Sequence, residues 1–576
     1  MSMHLLGGGF GFKPKTLEVF RNGYGRAQLG ADISAGVTVG LIALPLALAL
    51  GIASIPAGAE TPFPPPAMGL FTAIIAGAII SALGGSRVQI GGPTAAFIPL
   101  VLLVVERHGF GGLVVATIMA GFILVIMGLA RMGTLIKFIP WPVVSGFTTG
   151  IAVSIIVSQM ADMFGIRADS PPPREFFEKL VWMSEHIVHL NVATTVLTFV
   201  SLGLILFWPR LKLKRVPGSI VAMLLATVLV AVFGLGESWG IATVGSKYGA
   251  AAIPSGLPPF LFPEISLALI RDLLGPATAI ALLGAIESLL SAVVADGMTN
   301  ERHDSNTELI AQGIANIVCP FFAGIPATGA IARTSANVSN GGRTPVAGLV
   351  HALTLLLIVL FFSRYAAFVP VAAMSAVLIA VALRMGDWND LRQLKRMPAG
   401  DGVVLVTTFL LTVVFDLVVA IEIGMVLAAV LFIRRVSETT EVSLVTADDV
   451  LESPAHQAQG KTIPPGVMVY RIFGPFLFGA AQKMEDALLR AGGMLPRVLI
   501  LRLQLVPVMD STALNALENV VERMKQRGGT VILSGIHHQP LSLLRQAHFI
   551  DVIGRENFCG NFDEALERAK ELVVTE

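Results

Sequence analysis

At 576 residues the chain has room for several domains, but 54% hydrophobic and only 14% charged residues exclude an ordinary soluble assembly, because soluble domains carry about 25% charged residues. The mean hydropathy of +0.76 describes a polytopic membrane protein. A net charge of +1, with no basic run, gives no footing for nucleic-acid binding. Cys319 falls in an apolar stretch and Cys559 in a polar tail, far apart, so neither a disulfide nor a metal site is expected. The opening MSMHLLGGGFGFKPKTLEVF lacks an apolar run followed by a small-residue cleavage site, so no signal peptide is expected.

A helix needs about 20 apolar residues to cross the hydrocarbon core. After a short N-terminal segment, 1–30, full-length candidates lie at 32–53, 111–130, 139–163, 191–208, 217–234, 273–295, 344–363 and 368–385. The stretch 402–435 is long enough for two helices, with a turn at Phe415-Asp416. Four further segments, 69–84, 93–106, 306–322 and 327–339, are apolar but short or interrupted. Together they make about 14 spans.

Basic residues fix an expected orientation. Lys13, Lys15, Arg21 and Arg26 precede the first span; Arg131 and Lys137 follow the fourth; Arg210, Lys212, Lys214 and Arg215 follow the sixth. Arg384, Arg392, Lys395 and Arg396 follow the twelfth, and Arg434 and Arg435 the last. All these clusters share one side if both termini are cytoplasmic. A transmembrane domain over 31–436 would then give way to a cytoplasmic domain over 437–576, with its core at about 464–576. There VMVYRIFG, RVLILRLQ and TVILSGI read as strands, and ALNALENVVERMKQRG and DEALERAKELV as amphipathic helices, a small α/β unit. The hydrophilic TADDVLESPAHQAQGKT inside it reads as a loop or linker.

Two short stretches echo each other. GGPTAAF (Gly91 to Phe97) and GIPATGAI (Gly324 to Ile331) each place glycine, proline and threonine before small residues that open an apolar helix. Pro93 and Pro326 cannot donate a backbone hydrogen bond, so each ends an extended piece, and Thr94 and Thr328 suit the N-cap. The threonines lie 234 residues apart, in the third and tenth spans. A seven-span offset inverts the second copy, and interrupted segments in corresponding halves point to a transporter binding site. Two half-helices aiming their N-termini at one point favour an anion. Ala95, Ala96, Gly329 and Ala330 let a ligand approach the backbone, and Arg333, about 7.5 Å along the helix from Thr328, can reach back. The alternative is a kinked helix pair in which Arg333 bonds backbone carbonyls as structural glue.

Glu287 sits in the middle of the eighth span, with Ser291 on the same face at i+4. A carboxylate poised between desolvation and a nearby cation is a good proton carrier; the alternative is a permanent Glu287–Arg333 ion pair. Asp296, close to the polar loop DGMTNERHDSNTE, is expected to be solvated.

The runs GVTVGLIALPLALALGIAS, GGSRVQIGGPTAAF, GAIESLLSAVVADGMT, HDSNTELIAQGIANI, GIPATGAIARTSANVSNGGRTP and PVMDSTALNALENV together resemble the sulfate permease (SulP, solute carrier 26) family, over nearly the whole chain. The resemblance implies a seven-plus-seven inverted repeat divided into a core and a gate domain, a homodimer, and a C-terminal STAS domain. It also implies an anion between the third and tenth helices, at Thr94, Ala95, Ala96, Gly329, Ala330 and Arg333, with Glu287 as the acidic residue of the eighth. Thr328 is included with these contacts. Sodium-coupled bicarbonate members have aspartate at the Glu287 position and no arginine at that of Arg333, so the pair here looks more like proton-coupled members. Many sulfate carriers have glutamine after the proline of the first helix, whereas here the residues are Pro45-Leu46. GAIESLL, DGMT and ATGAIAR look closest to a bacterial carrier of C4-dicarboxylates, which places dicarboxylate ahead of sulfate.

The tail's MDSTAL resembles anti-sigma-factor antagonists, in which the serine after the aspartate is phosphorylated at a helix start; here that would be Ser511, and the alternative is plain N-capping by Asp510 or Ser511. The expected function is secondary active anion transport in the inner membrane, proton-coupled and of elevator type, with no cofactor or metal and with a cytoplasmic protein partner for the STAS domain. The rivals are a bicarbonate or chloride exchanger, a channel on the same scaffold, and a membrane anchor displaying a regulatory module. No metal cluster, nucleophile–base set or phosphate loop suggests an enzyme.

Overall fold

The computed structural model describes residues 12–574 apart from 57, 135–139, 167, 169–171, 174, 212–216, 250–251, 257, 259, 264–265, 416, 445–462, 478–483 and 485–495. The expected linker at 446–462 therefore lies outside the described residues, as do Lys137, Lys212, Lys214, Arg215 and Asp416. The chain forms two compact units, Met1–Val426 and Leu427–Glu576.

Every expected span carries a helix. They are α1 (Arg26–Ser54), α2 (Pro65–Leu83), α3 (Ile98–Leu129), α4 (Trp141–Phe164), α5 (Val192–Phe207), α6 (Gly218–Val232), α7 (Leu274–Thr299), α8 (Ser305–Val318), α9 (Ile331–Ser339), α10 (Pro345–Phe362), α11 (Val371–Met385), α12 (Ala399–Val414) and α13 (Leu417–Thr439). The third and fourth spans are one element, α3, broken at Gly109, whose φ of 68° is open to glycine at little cost. Among the described residues, seven helical stretches are long and apolar enough to cross a membrane, and α6, α11 and α12 are shorter apolar helices.

Packing sorts the first unit into two bundles. One joins α1, α2, α3, α7, α8, α9 and α10; the other joins α4, α5, α6, α11 and α12. Pairings recur seven spans apart: α1 packs on α10 as α7 packs on α3, α2 on α10 as α8 on α3, and α4 on α12 as α11 on α5. Glycines let several of these helices approach closely, α3 and α8 among them. A Cβ on Gly121 of α3 would stand 2.7 Å from the Gly313 carbonyl oxygen of α8, and one on Gly313 would stand 2.6 Å from that of Gly121. Fully buried Asp32 caps the start of α10, accepting from the Arg343 amide at 3.0 Å and the Thr344 hydroxyl at 2.5 Å.

The second unit is an α/β layer structure. Five strands, β3 (Glu441–Leu444), β4 (Val467–Phe473), β5 (Val498–Leu505), β6 (Thr530–Ser534) and β7 (Phe558–Cys559), pair in chain order, with only β3 antiparallel. Period-2 alternation in β5 sends Val498 and Ile500 toward the helix Phe562–Val574. Leu499, Leu501 and Leu503 face the opposite core, shared with Ser511–Gln526.

Gly313→Ala, by forcing α8 off α3, should lower the stability of the full chain by about 1–3 kcal/mol. Gly30→Ala, where a Cβ meets nothing within 4 Å, should not. Detergent melting curves of the two variants check this; equal midpoints would refute it.

Candidate functional site

The two mirrored stretches meet as a two-stranded antiparallel pair, β1 (Gly91–Gly92) against β2 (Thr328–Gly329), with Gly91 opposite Gly329 and Gly92 opposite Thr328. Extended backbone at membrane depth must have its polar groups satisfied by protein. Here they are tied down individually. The Ile90 amide donates to the Thr334 hydroxyl at 3.1 Å, and the Ala330 amide to the Ile90 carbonyl at 2.9 Å. Asn316 grips Ala327 from both sides, accepting from its amide at 2.9 Å and donating to its carbonyl at 2.8 Å. Asn337 donates to the Val88 carbonyl at 2.8 Å, and the Ile325 amide to the Thr72 hydroxyl at 2.8 Å. These staples are absent from the sequence reading. Their signal is Asn and Thr within or beside apolar runs, but most of their partners lie far along the chain.

Neither threonine caps a helix with its side chain. Thr94 does hold the N-cap position of the short turn Ala95–Phe97 that leads into α3, but its hydroxyl donates to Glu287 at 2.8 Å. Thr328 lies within β2 and donates to the Gly284 carbonyl at 2.8 Å, while Ala330 holds the N-cap position of α9. Each hydroxyl is instead turned to donate its proton, to a carboxylate and to a carbonyl respectively. Both helix starts are thus left without a side-chain cap.

Glu287 and Thr94 are half-buried, as is Ala330, and Ile331 is 43% exposed. These residues keep accessible surface, whereas Ala95, Ala96, Thr328, Gly329 and Arg333 are buried. Arg333 donates through Nη2 to the Pro93 carbonyl, and its Nη1 makes no hydrogen bond within the protein. Nη1 lies where a side chain on Gly92 would stand, so the guanidinium packs behind the loop. Glu287 and Arg333 therefore do not form the direct ion pair weighed as an alternative. They hold adjacent residues, Thr94 and Pro93, from two sides.

Ser291 is taken elsewhere: fully buried, it donates to Thr334 at 3.1 Å and ties α7 to α9. Gly329 is packed so closely on the Gln89 amide that a Cβ there would force Gln89 to move. Pro45 is buried within α1, and Leu46 packs against the buried cluster of Ile205, Ala222, Ala376, Val377 and Ala380 in the second bundle. Asp296 is not merely solvated, since it accepts from the His303 ring at 2.7 Å and from the His303 amide at 3.0 Å. In the second unit Asp510 caps the helix Ser511–Gln526, accepting from the Ala513 amide at 2.9 Å, and Ser511 is exposed at its first position.

A polytopic helical protein whose broken segments cross inside one bundle, joined to a C-terminal α/β module, defines a membrane transport protein rather than an enzyme. The sulfate permease family model matches residues 29–408 and the STAS domain model residues 460–566. The chain belongs to the sulfate permease family, and it is a multi-pass anion transporter. "Putative sulfate transporter YvdB" of Bacillus subtilis is 40% identical over 94% of this chain and 98% of its own length. "Bicarbonate transporter BicA" of Picosynechococcus is 29% identical over 94% of this chain and 95% of its own. The solved transmembrane domain of a cyanobacterial BicA covers 70% of this chain and 98% of its own, with 28% identity and a TM-score of 0.60. Murine Slc26a9 in the inward-facing state shares the fold with a TM-score of 0.84, at 18% identity, over 97% of this chain and 94% of its own.

A hydrogen bond to a charged group contributes about 1.5–3 kcal/mol. Thr94→Val should therefore cut anion uptake about tenfold or more, while Thr94→Ser should keep it within about twofold. Uptake by reconstituted vesicles measures both, and a fully active valine variant would remove Thr94 from the site.

Proposed function

We propose that this chain is a proton-coupled secondary carrier of a small divalent anion, with C4-dicarboxylates ahead of sulfate. The anion is received where the starts of α3 and α9 converge. The observation that carries this reading is the pair of uncapped helix starts beside half-buried Glu287, with Arg333 behind the same loop. Each helix start supplies about half a positive charge and free amide donors. Arg333 adds a full charge that acts through the backbone it holds. A proton on Glu287 offsets anion charge as the loaded site moves, and its release returns a carboxylate that competes with the anion.

Movement is assigned to the bundle carrying α3, α7 and α9, sliding as an elevator against the other. The carrier is read as a homodimer of the inner membrane with both termini cytoplasmic. Its transport domain spans 31–436, after the segment 1–30, and its STAS domain 437–576 is open to a protein partner. Phosphorylation at exposed Ser511 is a regulatory possibility of the same module. Bicarbonate exchange is the second reading, supported by the names of the BicA relatives. Labelled succinate, fumarate, aspartate, sulfate and bicarbonate, offered to proteoliposomes under an inward proton gradient, separate these readings. A current that follows the anion gradient with no proton movement would instead make it a channel.

Arg333→Ala should raise the anion dissociation constant by about a hundredfold, the loss expected from removing a buried cation, while the protein still melts cooperatively. Unchanged affinity in the purified variant would refute the role, and loss of the folded protein would favour structural glue.

Glu287→Gln keeps the volume and accepts the Thr94 hydrogen bond but holds one charge state. It should preserve counterflow at symmetric pH and abolish accumulation driven by an acidic exterior. Accumulation with ordinary pH dependence would show that protons couple elsewhere.

A further inference from the structure

Gln89 lies two residues ahead of β1 and is buried. Its carboxamide nitrogen Nε2 meets two elements at once. It donates to the Ser288 carbonyl of α7 at 3.2 Å, and a Cβ on Gly329 of β2 would stand 1.7 Å from it. The amide therefore sits between α7 and β2. Ser288 follows Glu287, whose carboxylate accepts from Thr94 at 2.8 Å. Gln89 and Thr94 belong to the same broken segment, so that segment holds two successive residues of α7. From the other repeat, Thr328 donates to the Gly284 carbonyl at 2.8 Å, and Ser291 donates to Thr334 at 3.1 Å. Residues 284, 287, 288 and 291 share one helix face. These bonds therefore fasten the crossing to the face of α7 that carries Glu287.

Packing alone does not ask for an amide at this position. The Ser288 carbonyl lies inside α7, where the helix ladder already serves it. Gln89 Oε1 is buried and makes no hydrogen bond within the protein. A buried amide with an unused oxygen costs more than an apolar side chain of the same length. What the amide adds is direction: it ties the lead-in to β1 to the residue beside Glu287.

We propose that Gln89 is a positioning residue for the coupling of proton and anion. Its bond to Ser288 sets how closely Glu287 is held against the crossing, and so how strongly a carboxylate there opposes a bound anion. This inference rests on reading the β1–β2 crossing as the anion site and Glu287 as the proton carrier. The elements packed against α7 bring Glu106, Arg107 and His108 on α3, Glu308 on α8 and Arg333 on α9. Arg271 and Asp272 stand just ahead of α7, and Asp296 lies within it. Of all these, only Arg333 acts electrostatically on Glu287. A pH dependence of anion affinity is therefore assigned to Glu287, with Arg333 as its fixed opposite charge.

Counterflow of labelled fumarate and sulfate tests it, both being dianions from mildly acidic to mildly alkaline pH. Half-saturating concentrations are measured in proteoliposomes of the full chain at an acidic and an alkaline symmetric pH, beside melting curves. Gln89→Met keeps the length of the side chain and its cover over Gly329 but removes the donor. Gly329→Ala keeps the amide but drives Nε2 off Ser288. In the wild type the half-saturating concentration should rise about tenfold from acidic to alkaline pH, within the usual range for two linked sites. In both variants the carboxylate is no longer held against the crossing, so the rise should shrink below about threefold while melting stays cooperative. A wild-type rise in Gln89→Met overturns the proposal. So does a half-saturating concentration increased equally at both pH values, which is what lost packing or a blocked site would give. If Gln89→Met does not fold, Gly329→Ala decides by the same two criteria. Glu287→Gln run in parallel separates the levels. A wild type without pH dependence, or Glu287→Gln with it, defeats the coupling reading itself. Loss of pH dependence in Glu287→Gln beside an ordinary Gln89→Met defeats only the role of Gln89.

Discussion

Two interrupted segments in a membrane protein cannot leave their extended backbone facing lipid, and here each satisfies the other. The antiparallel pairing of Gly91 and Gly92 with Gly329 and Thr328 is that solution. Much of the first bundle follows from it. The pairing needs residues without bulk, because a Cβ on Gly91 would run into Ile80 and one on Gly329 into Gln89. It needs side-chain staples at both ends, which Asn316, Asn337, Thr72 and Thr334 supply from three different helices. It also needs the two repeats to be inverted, since only opposed copies present their breaks to each other antiparallel.

The crossing places a carboxylate and a guanidinium on neighbouring residues without letting them touch. Glu287 holds Thr94 and Arg333 holds Pro93. On the reading proposed for this site, a change in the charge of Glu287 acts first on the Thr94 hydroxyl and next on the backbone unit that Arg333 grips. Coupling then runs over two residues of one strand end. A direct salt bridge would behave differently, because each partner would quench the other and leave little field for an anion.

The large features were legible because they are periodic or repeated. Apolar runs gave the spans, and the matched Gly-Pro-Thr breaks gave the crossing. Glu287 stood out as a carboxylate within an apolar run. What failed was the assignment of hydroxyl partners. Thr94, Thr328 and Ser291 each sat where local rules offer a cap or an i+4 neighbour. Each instead bonds a group far along the chain: Glu287, Gly284 and Thr334. Local rules rank nearby partners and cannot see one delivered by tertiary packing. Leu46 shows the same limit, since the cluster it packs against, with Ile205, Ala222 and Val377 among its members, belongs to helices of the other bundle.

The position of Arg333 bears on why relatives of this architecture carry names for different anions. A guanidinium projecting toward a bound anion would offer a fork fitted to one geometry of oxygens. Arg333 is 2% exposed and spends its Nη2 on a carbonyl, so what an anion would meet from it is charge without a fork. Helix amides at two converging starts likewise favour negative charge over one molecular shape. A site assembled in this way on the proposed reading selects anions first by charge. Shape selection falls to residues that keep accessible surface, such as Ile331 with its exposed side chain and the half-buried Thr94 and Ala330. Small substitutions there can retune the preferred anion while the crossing, which must stay intact for the fold, is left unchanged.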